Sequence, residues 1–526
     1  MQTHSKAPRA GSRLARAFAK TVRRFSVERR GGVAVPFALT AIPLAFMSVA
    51  AMDFHRAVMV KAGLQDSLDA AALAVGRSTA TSPTQIQQIG SDTLAANLKA
   101  YPNTTLNSAT FVLNGQTIQA AAQVTVTPLV SDVFGGSDLQ VSADSEVVRA
   151  INKLEVAMVL DNTGSMAGTK ISMLKTAASN FVDTLSAAAA RSTDPDAVKI
   201  GLVPFSMTVN VGSQYQNASW MDTTGASPIN DQIFSSHANR FTLFSQMGVT
   251  WGGCVESRQA PYDVQDTAPT SGIPATLFTP YFAPDEPGTS STSNTWNGMT
   301  WYNNYLNDVT ATNTWTAKQG YVAKYNTHSL RTGANGSTGY TYGPNAGCSL
   351  QPLMRLTTNW SSLKTAINGM NAVGDTNIPM GMMWGWHVLS PNAPFADGVA
   401  YNTPKTTKIV VMMTDGQNEN TPNSNLNASF YSGDGYIWQN RLGITSGTTA
   451  QRQAALDARE TAVCTNMKAQ GIVIYTVRVE VNDNQYAVLQ NCASSPDKFY
   501  DVANANQLNA VFDAIAGSIE NLRISK

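Results

Sequence analysis

Twenty-two consecutive residues, Gly31 to Met52, carry no charge. As a helix they would run about 33 Å, enough to cross the hydrocarbon layer of one bilayer. Arg23, Arg24, Arg29 and Arg30 precede the run and Asp53 closes it. The positive-inside rule places the N-terminus in the cytoplasm and residues 53–526 beyond the membrane. Pro36 and Pro43 lie inside the run, and Pro43 is placed to kink it. The rival reading is a cleaved signal peptide with a small-residue site near Ser48 to Ala50. The run is too long for that, and helical spacing continues through Ala57, Val60, Leu64, Leu68, Ala71 and Val75. The expectation is one retained helix, half in lipid and half out.

Charge divides the chain at the same place. Residues 1–30 hold nine Lys/Arg against Glu28, whereas the remaining residues hold 27 bases and 34 acids. A basic tail before a mildly acidic body fits membrane orientation and argues against a nucleic-acid partner. Charged residues make up only 13% of the chain, about half the usual share, which with its Asn, Thr, Ser and Gly content reads as an exported protein. The four cysteines, Cys254, Cys348, Cys464 and Cys492, form no C-x-x-C and suit structural disulfides better than zinc. Five histidines leave little for zinc or His-centred catalysis.

After the anchor, residues 80–105 read as polar and partly helical over Ile89 to Leu98. Phe111, Leu113, Ile118, Val124 and Val126 then alternate as in strands, with Asn114-Gly115 as a hairpin turn. This gives a small β-rich module within 53–150. From Leu154 the pattern becomes strand, loop, helix. Strands are expected at 154–160, 198–205, 408–414 and 472–478, with helices at 169–190, 361–370, 379–389 and 450–469 and a last one carrying Leu508, Phe512, Ile515 and Ile519 on one face. Such alternation specifies an α/β fold with a doubly wound, mostly parallel sheet, Rossmann-like in its layering. Residues 212–350 and 417–450 break the pattern. The first holds five of nine Trp and nine of sixteen Tyr and reads as a folded insertion, its aromatics more often core than binding surface.

In an open parallel sheet, ligands sit outside the carboxyl ends of the strands. The first strand of the alternating region ends in Asp161-Asn162-Thr163-Gly164-Ser165, the third runs into Asp415, and Thr376 begins a later helical stretch. Asp161, Thr163, Ser165, Thr376 and Asp415 would form an all-oxygen site suited to Mg²⁺, or to Mn²⁺ or Ca²⁺, with a position left for a partner's acidic side chain. The bland alternative has Asp161 and Thr163 capping the next helix and Asp415 serving a turn.

Two stretches carry resemblances. Arg29 to Leu39 (RRGGVAVPFAL), Asp53 to Arg56 (DFHR) and Leu64 to Ala74 (LQDSLDAAALA) resemble the N-terminal segment of TadE/TadG-type tight-adherence (Flp) pilus-assembly proteins. Pseudopilin members of that group usually carry Glu where this chain has Pro36, so the anchor is expected to stay uncleaved. The D-x-T-G-S-M, Thr376 and T-D-G elements resemble the metal-ion-dependent adhesion site of the von Willebrand factor A domain, whose motif is D-x-S-x-S; Thr163 replaces its first Ser and keeps a hydroxyl. The neighbourhoods of Cys464 and Cys492 resemble pilus-assembly A-domain proteins. Of the three possible connectivities, Cys464–Cys492 with Cys254–Cys348 nests best, and the two bonds would add about 3–4 and about 4–5 kcal/mol.

The organisation these readings imply is a basic tail (1–30), a transmembrane helix (31–52), a helix continuation with a β-rich module (53–150), and an A domain (151–526) with insertions at about 212–350 and 417–450. The implied protein is anchored once in a bacterial inner membrane, its bulk periplasmic or facing the cell surface. It would bind a protein partner, a pilus-assembly component among the candidates, through a divalent ion. The alternatives are an envelope scaffold with a vestigial metal site and a metal-dependent hydrolase. The chain lacks H-E-x-x-H and G-x-S-x-G, Gly164 to Lys170 misses the phosphate-loop spacing, and the one nearby histidine, His387, is expected to pack beside Trp384 and Trp386. A non-enzymatic role follows.

Overall fold

The computed structural model describes residues 34–78, 80, 82–102, 104–115, 117–128, 138–148, 152–192, 194–234, 237–288, 295–296, 299–300, 303–308, 314–331, 342–480 and 487–524. The basic tail and the first three residues of the uncharged run lie outside these. The chain divides into two compact units, Met1–Arg149 and Ala150–Lys526.

In the first unit, helix α1 runs unbroken from Ala34 to Arg77 with Pro43 inside it. Phe37–Arg77 is long and apolar enough to cross a bilayer. Its early apolar residues Phe37, Leu39, Ile42, Leu44 and Met47 are between 61% and 71% exposed. One helix carries two environments: past Asp53, the 3.6-residue spacing of Val60, Leu64, Leu68 and Val75 lays a buried stripe against helix α2 (Pro83–Leu98) and a three-stranded antiparallel sheet. That sheet is β1 (Thr104–Asn114), β2 (Thr117–Val126) and β3 (Leu139–Val148), in that order. The β1–β2 hairpin turns at Gly115, whose φ of 64° is cheap only for glycine or asparagine-like residues.

The second unit is built on an eight-stranded mixed sheet. Its strands are β4 (Lys153–Asp161), β5 (Val198–Phe205), β6 (Val209–Asn210), β7 (Cys254–Val255), β8 (Met354–Thr357), β9 (Thr406–Thr414), β10 (Val473–Val479) and β11 (Phe499–Val502). The order is β11-β10-β9-β4-β5-β6-β7, with β8 also on β5; the first five strands in that order are parallel and β6, β7 and β8 pair antiparallel. The central parallel strands are mostly apolar and buried because both faces are covered, with Glu155 of β4 and Lys408 of β9 paired within them. On one face, α3 (Thr169–Ala190), α4 (Trp360–Gly369) and α8 (Leu508–Ile524) bury Leu174, Phe181, Leu363, Phe512 and Ile515 against Val156, Met158, Val411 and Met413. Phe181 and Phe512 meet edge to face at 5.8 Å. On the other face, α5 (Ile378–Leu389) and α6 (Thr449–Ala469) cover Ala157, Val159, Val410 and Met412. The expected strands and helices fall on these elements, while the short antiparallel strands β6, β7 and β8 are additions.

The described parts of 212–350 form little regular structure. They are held by buried aromatics, among them Trp220, Phe278, Phe282 and Tyr325, which pack with Trp384 of α5 in one cluster. Cys254 and Cys348 close this segment as a disulfide, and Cys464 on α6 is joined to Cys492 of the short helix α7 (Ala487–Cys492). The 417–450 segment is stitched on through a buried network in which Tyr431 and Arg441 both bond to Glu256, itself paired with Arg240.

Candidate functional site

The site is set by sheet register. Parallel pairing of β9 with β4 aligns Met413 with Leu160, so the next residues, Thr414 and Asp161, stand side by side where the two strands end. The Thr414 hydroxyl donates to Asp161 Oδ2 at 2.6 Å. The other oxygen of Asp161 accepts the Thr163 N–H at 2.7 Å, closing the turn that leaves the strand. That turn brings the Thr163 and Ser165 hydroxyls to 2.9 Å from one another, and Ser165 Oγ donates to Asp415 Oδ1 at 2.7 Å. Four of the five sequence-derived residues, Asp161, Thr163, Ser165 and Asp415, thus form one hydrogen-bonded run, from Asp161 to Thr163 through the Thr163 N–H and onward through oxygens. Helix α3 begins later, at Thr169, and Gly168 before it makes no side-chain cap; Asp161 and Thr163 are not its caps.

Thr376 arrives on a loop laced to its surroundings by backbone bonds. Val373 N–H donates to Asn162 O, Gly164 N–H to Gly374 O, and Asn377 N–H to Ser206 O. Gly374 sits at φ 75°, and a Cβ there would meet Met207 and Ser206 at 3.2–3.3 Å, so the turn requires glycine. The Thr376 hydroxyl faces Gly416: a Cβ built on that glycine would lie 3.8 Å from Oγ1. No hydrogen bond among the described residues ties this hydroxyl to the other four. Thr376 stands beside the site rather than inside its bonded chain.

Electrostatics separate the two aspartates. Asp161 is fully buried, and burial first, then the neighbouring Asp415, raise its carboxyl above the usual carboxylate range, opposed by bonds from Thr414 and Thr163. Asp415 has its own counter-charge: Lys170 Nζ donates to Oδ2 at 2.7 Å, and lies 3.9 Å from Glu480. One residue before Thr376, Asp375 is pushed up to about 7 by burial and then by Glu419. His387 is buried on α5 against Trp384 and Phe278 and faces Asp266 at 3.4 Å; burial lowers its pKa.

The donor set fits a hard cation. Two carboxylates and hydroxyls at the rim of a parallel sheet provide oxygens only, as Mg²⁺, Mn²⁺ or Ca²⁺ prefers, and a like-charged buried pair gains from added positive charge. No group of three or more His, Cys, Asp or Glu side chains gathers for a metal among the described residues, so hydroxyls have to complete any ligand set. Sequence reasoning missed Lys170, Thr414 and Asp375. A lysine in the first turn of α3, where the helix dipole disfavours it, was a readable signal for the first; register with Asp161 would have given the second.

A family described as Flp pilus-assembly TadE/G-like matches residues 31–78. With the apolar helix over the same residues, this fits a membrane-anchored protein with a pilus-assembly context. No curated protein matches the chain. Among solved structures, the chain is similar to the von Willebrand factor domain of the type V pili tip protein Mfa5 from Porphyromonas gingivalis, with 11% identity and a TM-score of 0.33, covering 72% of this chain and 97% of that one. It is also similar to the pilus adhesin SpaC from Lactobacillus rhamnosus GG, with 11% identity, a TM-score of 0.32 and 80% of this chain covered. A third is the pilus adhesin RrgA from Streptococcus pneumoniae, with 10% identity, a TM-score of 0.31 and 79% of this chain covered. The chain spans 35% of the length of SpaC and 48% of RrgA.

Proposed function

We propose that this chain is a membrane-anchored, extracytoplasmic binding protein of the TadG kind. Its second unit would act as a von Willebrand A domain that grips an acidic side chain of a protein partner through a divalent cation, in assembly or adhesion of a Tad/Flp pilus. The observation that carries the metal reading is the bonded run from Asp161 through Thr163 and Ser165 to Asp415 across two adjacent strand ends. Thr163, Ser165 and Asp415 would hold the ion, with Asp161 and Thr376 completing the set directly or through water. The bound ion would supply positive charge and an open coordination position for a carboxylate. The chain's own residues do the rest: Thr414 and the Thr163 N–H fix the Asp161 carboxylate, and the laced 373–377 loop fixes Thr376. The pilus context comes from the family likeness over 31–78. The arginines before the apolar run favour a single crossing by α1 with the N-terminus in the cytoplasm, and the pilus-assembly likeness favours a bacterial inner membrane.

We read this as a role in binding rather than catalysis; His387, the histidine nearest the site in sequence, is buried among aromatic rings. One observation favours a scaffold with a vestigial site instead, since the Lys170 ammonium already serves Asp415. Titrating the full chain in detergent with MgCl₂ and MnCl₂ decides between them. Saturable heat that Asp161→Ala abolishes, with the thermal midpoint in EDTA retained, supports the metal reading. No heat and no thermal shift in the wild-type chain sinks it and leaves the scaffold.

A further inference from the structure

Helix α1 does not change character at Asp53, where its uncharged run ends. Leu44, Met47, Ala51, Phe54 and Val58 recur at alternating three- and four-residue steps, which places them on one stripe of the helix. All five are exposed, Phe54 at 70% and Val58 at 49%, and Met59 beside them is 59% exposed. The next two positions of the stripe, Lys61 and Gln65, are polar, and Asp66 stands exposed beside them. Asp53 is on the opposite side. It is 6% exposed and shares a face with Val60, which packs into the core of the β-rich module. Arg56 fixes the level of that module: Nη1 donates to Thr127 O at 3.3 Å and Nη2 to Pro102 O at 3.4 Å, next to the paired strand ends Thr104 and Val126. From Asp53 to Lys61, about 12 Å along the axis, one face of α1 is therefore built against protein while the other is apolar and open.

A contiguous apolar face left open on a helix marks a contact with lipid or with another protein. The helix itself indicates lipid. The stripe is continuous with Leu44 and Met47, which belong to the segment long and apolar enough to cross a bilayer. Length agrees. Ala34 to Met59 measures about 39 Å, beyond the ~30 Å hydrocarbon layer and close to the ~40–45 Å that includes both headgroup regions. The polar switch agrees as well: Lys61 ends the stripe with an ammonium on a long apolar stem, suited to lipid phosphates. We propose that the Phe54, Val58 and Met59 face of α1 lies in the headgroup and upper acyl region of the leaflet next to the β-rich module, so that the first unit rests on the lipid surface instead of standing off it on a stalk. The membrane boundary on the open face then falls at Lys61, about two turns past Asp53, and His55 is held among the headgroups. The inference rests on reading α1 as a membrane-spanning helix.

The test places one environment-sensitive fluorophore at a time on the full chain in nanodiscs of phosphatidylethanolamine and phosphatidylglycerol. The four native cysteines are paired as disulfides, so a maleimide dye goes to the introduced thiol in Met47→Cys, Phe54→Cys, Val58→Cys or Asp66→Cys. Each label is quenched by lipid carrying a nitroxide at the acyl 5- or 12-position, and separately by aqueous iodide. At least twofold quenching of the Phe54 and Val58 labels by the 5-position lipid, with iodide effective at Asp66 and not at these two, supports the proposal. Iodide quenching at Phe54 or Val58 as strong as at Asp66 overturns it and returns the boundary to Asp53. Protection of these two labels from both quenchers also overturns it, in favour of a protein cover such as a second copy of the chain. The Met47 label keeps the two readings apart. Quenched at least twofold by the 12-position lipid while Val58 is not quenched by either lipid, it leaves the anchor standing and removes this inference alone; unquenched, it removes both.

Discussion

Replacing Lys170 by methionine should tighten magnesium binding while weakening the metal-free fold. Lys170 Nζ stands 2.7 Å from Asp415 Oδ2, with the lysine side chain 24% exposed and the aspartate 0%. A charged hydrogen bond of this kind is worth about 1.5–3 kcal/mol, and the partial exposure of the lysine discounts it to about 1–2. Any cation that takes Asp415 as a ligand has to break or share that bond and then tolerate an ammonium beside it. Removing the ammonium therefore improves Mg²⁺ affinity by about 5- to 30-fold. The same substitution leaves Asp415 buried beside Asp161 with no counter-charge. The thermal midpoint in EDTA should fall, although relief of an unfavourable lysine at the α3 N-terminus returns about 0.3–1 kcal/mol. Opposite signs in the two measurements are the signature of a tethered competitor. Lys170→Arg keeps the charge and should not gain affinity. Calorimetry on Lys170→Met that shows unchanged or weaker Mg²⁺ binding would refute the reasoning and make Lys170 a support of the site.

Three other outcomes follow from the same structure. Glu286 is buried and bonded by Tyr436 and Asn427, and burial pushes it up to about 7 from 4.5. The folded chain therefore binds more protons than the unfolded one between those values, so stability falls as pH rises from about 4.5 to 7. Thermal melts from pH 5 to 8 should lose a few kcal/mol over that window, and Glu286→Gln should flatten the slope. Exchanging both Cys254 and Cys348 for Ser should cost about 4–5 kcal/mol in urea unfolding, and the Cys464–Cys492 pair about 3–4, since the bonds close loops of 94 and 28 residues. Gly381→Ala puts a Cβ 2.6 Å from the ring of buried Phe205 and should destabilise the chain by about 1–3 kcal/mol by the same assay.

Much of the sheet was readable because its information is local. Ile171, Leu174, Ala178, Phe181 and Leu185 repeat at helical spacing and all are buried on α3. The runs at 154–160 and 408–414 are buried on both faces, as central parallel strands are, and apolar but for the paired Glu155 and Lys408 and the terminal Thr414. The two-residue strands β6 and β7 are too short to show alternation. The core of 212–350 was invisible for another reason. Trp220 packs on Trp384, and Arg240 pairs with Glu256 and bonds Tyr431, contacts across long sequence separations that leave no period behind. In the site, Asp161 and Asp415 were legible as acids at strand ends. Lys170 was not, because its meeting with Asp415 depends on where the first turn of α3 points relative to the end of β9.

The Asp161–Asp415 pair gives a final test, since its charge distribution differs from that of a plain structural ion pair. Lys170 with Asp415 alone would form a complete pair at the sheet rim. Asp161 adds a second, fully buried acid that is met only by neutral donors, the Thr163 N–H and the Thr414 hydroxyl. Such a group raises the free energy of the metal-free fold and gives it no packing that an amide could not give. Asp161→Asn should then stabilise the chain in EDTA by about 1–2 kcal/mol while removing the thermal shift produced by MgCl₂. The geometry permits the exchange: an amide Nδ2 in the place of Oδ2 can donate to the Thr414 hydroxyl, which already points a 3.3 Å bond at Gly416 O. If the variant melts lower than wild type in EDTA, the carboxylate holds the strand ends together on its own account, and the pair was not kept for an ion.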